Sequence, residues 1–555
     1  MQRWTWGISL QPTIGVLCCL TASFISRADQ FPICIDGRFD DWSNVPVAFA
    51  DPAGDGGPSG IDFGRLWIAD DERFLYVRIE VGQGIYLNES NALRVYLDTD
   101  ADNQSGLPVA GIGAELEWRA GQRDGVFYDH GQSVSVTHSD IRFRAGPTVT
   151  ATEFEMAFGL DTFPDGVHPL FQGPAVRVAI LDAGGDQIPG ASTTITYHLD
   201  AGTPPTPRTI PLERERPDDL RLITHNVEFD GPWTPGQEPR FGRQLAAVSP
   251  DILSFQEIYD HYLSETIDFV SRWVPLEPGE SWDAVGRVDC KIISRYPIHD
   301  WWWLDGNIAA LIDTTPTLGT RLLLINAHLP CCDNEVSRQA EIDNIMSFVR
   351  DARQPGGTVT LPTGTPIVIT GDLNLVGLVQ QQATLLTGDI VDEGTYGPDF
   401  APDWDETDLA DVAPAQTEKR MAYTWRDDTS SFWPGRLDYF IHTDSVLELG
   451  RHFTLYTPEM SAGNLNAYGL QSTDALASDH LLLCMDVRPP TVTRGDLDCD
   501  GDVDFDDINP FVIALGGQTG YQAAYPDCHW LHADCDADGD VDFDDINAFV
   551  ALLGE

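Results

Sequence analysis

The sequence predicts an α+β chain in three folded parts, and three patterns predict it. Residues 29–200 alternate apolar and polar positions in short runs such as LWIADDERFLYVRIEV, with Gly and Asp between the runs. That period of two is the mark of half-buried strands and reads as a β-sandwich. Residues 218–488 instead alternate short apolar strands (LRLITHNV, LLLINAHL, PIVITGDLN) with helical stretches such as SRQAEIDNIMSFVRDA. Residues 495–555 carry one acidic loop twice, each copy running into an apolar helix, which reads as a small all-α unit. With 555 residues, 42% of them hydrophobic and 22% charged, the chain can bury a core in each part.

The order along the chain is as follows. Residues 1–28 have a thin positive start, an apolar run and Ser26-Arg27-Ala28, a small-residue cleavage pattern, and read as a secretory signal peptide. Export is therefore expected, and nothing later reads as membrane-spanning. The Pro- and Thr-rich stretch 201–217 reads as a stiff linker ahead of the 218–488 domain, and residues 489–494 as a second linker. Eight cysteines lie beyond the signal peptide, an even number that is consistent with disulfides in an exported protein; no CxxC pair points to zinc.

The charge is lopsided, with 87 acids against 33 Lys plus Arg and a net charge of −54. Such a surface repels phosphate backbones and anionic membranes at long range. It does not exclude an anionic substrate held locally by metal ions. Acid of this kind also serves solubility alone.

The chemistry-bearing residues fall in six islands at predicted strand ends. They are HNVEF with Asn226, SFQEI with Glu257, NAHLP with Asn326 and His328, GDLNL with Asp372 and Asn374, GRLDY with Asp438, and ASDHLL with Asp479 and His480. One carboxylate at a strand end is usually a solvated cap. Six islands of amide, carboxylate and imidazole supply hard oxygen ligands without thiolates, which suits Mg²⁺, Mn²⁺ or Ca²⁺.

Taken in this order, and with CKIISRYPI at 290–298, the islands resemble the endonuclease/exonuclease/phosphatase superfamily, which includes deoxyribonuclease I-like nucleases, sphingomyelinases and inositol-phosphate phosphatases. The resemblance implies a four-layer α/β/β/α sandwich and a divalent-metal-dependent phosphoesterase, with Mg²⁺ or Mn²⁺ at the centre. It implies Glu257 as principal metal ligand with Asn226 and Asp479 nearby, and Asp372 and Asn374 orienting water and phosphate. His480 contacts phosphate or acts as a base, Asp438 fixes its tautomer, and His328 stabilises developing charge or protonates the leaving oxygen. His328 places the chain on the deoxyribonuclease or sphingomyelinase side, so nucleic acid is the leading substrate expectation, with a phospholipid head group or a sugar or inositol phosphate as the alternative. A non-catalytic glycan- or scaffold-binding protein is the reading from another class.

Several neighbours have two readings. Arg436 touches phosphate or forms a strand-packing ion pair; Arg338 is structural; Lys291 snorkels from a strand. Trp301, Trp302 and Trp303 stack bases or form one amphipathic strand. Cys331 and Cys332 rigidify the His328 loop through a disulfide, with Cys290 as a candidate partner, or stay free.

The stretch ICIDGRFDDW and the runs after it resemble the sandwich group related to family 9 carbohydrate-binding modules, which implies a glycan partner. Trp42, Trp67 and Trp118 are then sugar platforms or core residues, and Asp98, Asp100 and Asp102 bind calcium in a turn or cap it.

In the tail, placing Gly501 and Gly539 at position 6 of a calcium loop puts Asp496, Asp498, Asp500, Asp504 and Asp507 at positions 1, 3, 5, 9 and 12. Asp534, Asp536, Asp538, Asp542 and Asp545 repeat this register, so two Ca²⁺ sites are expected. The duplicate resembles a dockerin, which implies a cohesin-like or cell-surface partner. It departs from the familiar pattern with Phe505-Asp506 and Phe543-Asp544 at positions 10 and 11.

Overall fold

The computed structural model describes residues 32–129, 131–190, 193–199, 209–490, 493–525, 528–537 and 539–553. The expected signal peptide lies outside them, as does Asp538.

The 218–488 part is built on two six-stranded sheets. The first runs Asp283–Arg287, Cys290–Ser294, Ile252–Gln256, Leu220–Asn226, Leu483–Arg488, Glu448–Thr454. The second runs Ile298–Leu304, Asn307–Ile312, Leu322–His328, Ile367–Asp372, Asp438–His442, Ala410–Val412. Successive strand residues point to opposite faces, and both faces are covered, which is why these strands read as unbroken apolar runs. Leu222, Ile252 and Met485 of the first sheet pack against Ile308, Leu324 and Phe440 of the second. On the first sheet's other face, Ile223 and Leu253 meet Phe241, Leu245 and Phe269 of helices Glu238–Val248 and Leu263–Trp273. On the second sheet's other face, Ile325 and Ile369 meet Ile342, Ile345 and Met346 of helix Glu335–Arg353. The layers are therefore α/β/β/α, as expected. Each such buried side chain contributes about 1.5–3 kcal/mol of transfer free energy.

Two parallel pairs decide where the functional residues end up. Leu220–Asn226 pairs in parallel with Ile252–Gln256, bringing Asn226 level with Gln256; Leu322–His328 pairs in parallel with Ile367–Asp372, bringing His328 level with Asp372. Antiparallel pairing of Ile367–Asp372 with Asp438–His442 then sets Asp438 beside Asp372. Gly371 is required here: its φ is +132°, and a Cβ would sit 1.9 Å from the Ala327 carbonyl oxygen.

Within 32–199 the described residues form a five-stranded and a seven-stranded antiparallel sheet around one core, with a two-stranded sheet besides. This part is packed against the 218–488 part. Ile210 and Leu212, within the expected linker, are buried in the neighbouring domain's core. Ile33, Trp42 and Trp67 pack with Met421, Tyr456 and Leu481. Trp433, from the other domain, enters the sandwich core, its ring 5.0 Å from that of Phe143 in an edge-on contact and 6.3 Å from that of Trp118. Trp42, Trp67 and Trp118 are 1%, 5% and 0% exposed, so none is a sugar platform.

Between 496 and 553 the described residues form helices and no strands. Phe511 and Phe549, one from each copy's helix, stack at 4.2 Å. Cys499 and Cys528 form a disulfide, whereas Cys290, buried in its strand, and Cys331 and Cys332 are free, so of the two readings of the His328 loop the free one holds.

Candidate active site

The strand ends converge on the Asp372 carboxylate. Asn226 Nδ2 donates to Asp372 Oδ2 at 3.1 Å and to Glu257 Oε1 at 3.0 Å. His328 Nε2 lies 3.6 Å from Asp372 Oδ2 and 3.9 Å from Glu257 Oε1, and His480 Nε2 lies 3.5 Å from Asp372 Oδ2. Residues from five separate islands thus meet around one carboxylate.

Both rings are oriented from behind. His480 Nδ1 is 2.8 Å from Asp438 Oδ2, and His328 Nδ1 is 2.5 Å from Asp289 Oδ2. Burial alone would depress both imidazoles, but the carboxylates outweigh it. Asp438 and Asp372 push His480 up to about 10, and Asp289, Asp372 and Glu257 push His328 up to about 9. Burial also raises Asp438, against the pull of His480, and its Oδ1 is buried without a hydrogen bond.

The backbone is held in costly conformations around these groups. Glu257 has φ +64° and Asn374 φ +45°, and Glu228, Phe229 and Asp230 follow one another at +52°, +48° and +58°. Non-glycine residues in this region cost of order 1–3 kcal/mol each and persist where surrounding structure over-determines them. Here Phe229 N donates to Glu257 Oε2 at 2.9 Å, and Glu228 N to Asn226 Oδ1 at 3.0 Å. Asn374 Nδ2 is taken by the Leu329 carbonyl at 3.0 Å.

Two further island residues have partners of their own. The Asp479 carboxylate accepts from Trp425 Nε1 at 2.8 Å and adds to the charge that raises its neighbour His480. Asn326 is buried beneath the site, bonded to Gln256 and the carbonyls of Phe255 and Lys291. Asp289 escaped the sequence reading; its only signal was its place directly before the CKIISRYPI strand. The doubtful neighbours resolve as structural. Arg436 pairs with Asp411, and buried Arg338 donates to the carbonyls of Pro330, Cys332 and Val376. Lys291 Nζ reaches the Val288 carbonyl, and Trp301–Trp303 lie in one strand.

Elsewhere, Asp98, Asp100 and Glu115 bring carboxylate oxygens within 4.8 Å of one another, without Asp102. In the tail, Asp496, Asp498 and Asp500 do the same, as do Asp534, Asp536 and Asp545. Asp507 accepts from the amides of Leu497, Asp498 and Asp504, and Asp545 from those of Asp536 and Asp542, so the two loops share one pattern.

No family model matches the sequence, and no curated protein does. Solved structures that match include the human Nocturnin catalytic domain (17% identity, TM-score 0.34, 51% of this chain and 99% of that one). An endonuclease/exonuclease/phosphatase family protein from Leptotrichia buccalis matches at 14% and 0.32, over 48% and 99%. Beta toxin from Staphylococcus aureus matches at 16% and 0.28, over 48% and 99%. Likenesses at these scores carry no weight for activity, and the fold stands on the strand order and layers described above.

Proposed function

We propose that this chain is a divalent-metal-dependent phosphoesterase that hydrolyses phosphodiesters, exported from the cell, with a calcium-dependent tail. The observation that carries the reading is the Asp372 carboxylate, contacted by Asn226, His328 and His480 with Glu257 adjoining. Glu257 and Asp372 offer hard oxygens and no thiolate, with the Asn226 amide holding the two together, which fits Mg²⁺ or Mn²⁺. When bound, such an ion neutralises charge on the phosphoryl oxygens and raises the acidity of water.

The chain's own groups divide the remaining work. Asp372 and Asn374 orient a water beside the phosphate. His480, locked by Asp438 and holding its proton, donates to a phosphoryl oxygen as charge builds there. His328, locked by Asp289 and also protonated, donates to the leaving oxygen. The water oxygen forms the new P–O bond and passes its proton to the Asp372 carboxylate that orients it, the old P–O bond breaks with its electron pair on the leaving oxygen, which takes the proton of His328, and a phosphomonoester and an alcohol or phenol result.

Nucleic acid was the leading substrate expectation. Against it, no Lys or Arg is among the described residues lining the cleft, which favours the alternative of a smaller phosphoester. The tail loops would hold Ca²⁺, and a cohesin-like or cell-surface partner remains the proposal for their helices. Glu257→Ala and His480→Ala are expected to abolish hydrolysis of bis(4-nitrophenyl) phosphate with Mg²⁺ or Mn²⁺ while leaving the circular dichroism spectrum unchanged. Full activity in either variant overturns the assignment.

A further inference from the structure

The cleft over the Asp372 centre has a volume of about 780 Å³, and two domains line it. From the four-layer domain come Phe229 and Tyr259, 72% and 44% exposed, whose rings stack at 5.9 Å. From the sandwich come Tyr86, Asn88 and Thr148. Exposed aromatic rings facing a cleft are costly to leave in water and repay that cost by covering an apolar or flat group.

The sandwich wall is fixed in place. Thr148 Oγ1 donates to the Leu375 carbonyl at 3.0 Å, one residue past Asn374. Val149 bridges Gly377, and the Thr150 amide donates to the Gly377 carbonyl at 2.6 Å. Arg123 of the sandwich donates to the Asn88 carbonyl at 2.8 Å and lies 4.1 Å from the ring centroid of Phe432, itself a lining residue from the other domain. One guanidinium therefore ties the 86–89 segment to the loop that carries Phe432.

The charge of the cleft is equally specific. Among the described residues that line it, the two imidazoles of the centre are the only cationic side chains, and Glu89, Asp333 and Glu335 are present. A polynucleotide threaded through it would bring successive phosphates against carboxylates, whereas single-strand channels pair aromatic platforms with cationic ones. The cleft provides for one phosphate, at the centre, and for an uncharged ring or apolar group beside it.

We propose that the sandwich is part of the substrate cleft, and that Tyr86 with Phe432 selects a small phosphodiester bearing a flat aromatic or apolar group over a polynucleotide. This rests on the phosphoesterase reading above, and the test separates the two. The full chain is assayed with Mg²⁺ and with Mn²⁺ on bis(4-nitrophenyl) phosphate, methyl 4-nitrophenyl phosphate and a 20-nucleotide single strand. The first two share a leaving group and differ in the second ester, aryl against methyl. Wild type is expected to favour the diaryl ester in kcat/KM and to turn over the oligonucleotide at least tenfold less well. Tyr86→Ala and Phe432→Ala, made separately and checked by thermal melting, should each lower the diaryl-to-methyl preference by about tenfold, the size of one aromatic stack. Tyr86→Phe should keep it. An unchanged preference in folded Tyr86→Ala and Phe432→Ala overturns the role of this wall, and better turnover of the oligonucleotide overturns the substrate class. No turnover of any of the three by wild type overturns the phosphoesterase reading itself.

Discussion

The Asp372 centre and the C-terminal loops are both built from carboxylates, yet they are held in opposite ways. At the centre the groups arrive from strands far apart in sequence, and their charge is offset by two raised imidazoles within 4 Å. In the tail each set comes from one short stretch, and local amides such as those of Leu497 and Asp504 hold the key carboxylate. Burial, with like charges nearby, raises Asp498 from its ordinary value, and the like charges of Asp500 and Asp504 raise Asp502. The difference teaches that a site carried by sheets has its charge offset by partners from other strands, whereas the loop carboxylates keep their like charge among themselves, which an ion bound there would offset.

The largest expected effect tests the first half of that contrast. Asp372→Ala removes the carboxylate on which the centre converges, and kcat/KM for a generic phosphodiester should fall by about 10³-fold or more, measured under saturating Mg²⁺. The thermal transition of the four-layer domain should persist. Next, Trp433→Ala empties part of the sandwich core from the outside. It should destabilise by about 3–5 kcal/mol, read as a lowered denaturant midpoint; a change under 1 kcal/mol would mean the sandwich packs without it. Asp289→Asn keeps the volume beside His328 but loses the charge, and should cost about 10–100-fold in kcat/KM, with a smaller loss on substrates whose leaving group needs no proton. The mildest effect belongs to the tail. Calcium chelation should open only residues 496–553 to limited proteolysis and hydrogen exchange, leaving catalysis with Mn²⁺ intact. Protection of these residues without calcium would erase the distinction between the two regions.

The layers were legible because doubly covered strands leave unbroken apolar runs, and the site because Asn226, Glu257, His328, Asp372, Asp438 and His480 each stand at the end of such a run. Asp289 was not legible, since a carboxylate between Val288 and Cys290 has no local pattern and only the fold brings it to His328. The bond from Trp425 to Asp479 was not legible either, since the two lie 54 residues apart in the chain. Trp42, Trp67 and Trp118 were ambiguous because a large ring serves a core and a platform equally well. The interface between domains was hidden for a simpler reason: Trp433 is separated by some 300 residues from the core it fills.

That separation also sets a timetable for synthesis. The sandwich strands leave the ribosome first, but Trp433 emerges roughly 300 residues after Trp118. At about 5–20 residues per second this is a delay of roughly 15–60 s, during which the sandwich exists without its last core side chain. A nascent chain stalled before 433 should therefore expose the pocket around Phe143 to chaperones or hydrophobic dyes, and one stalled well beyond it should not.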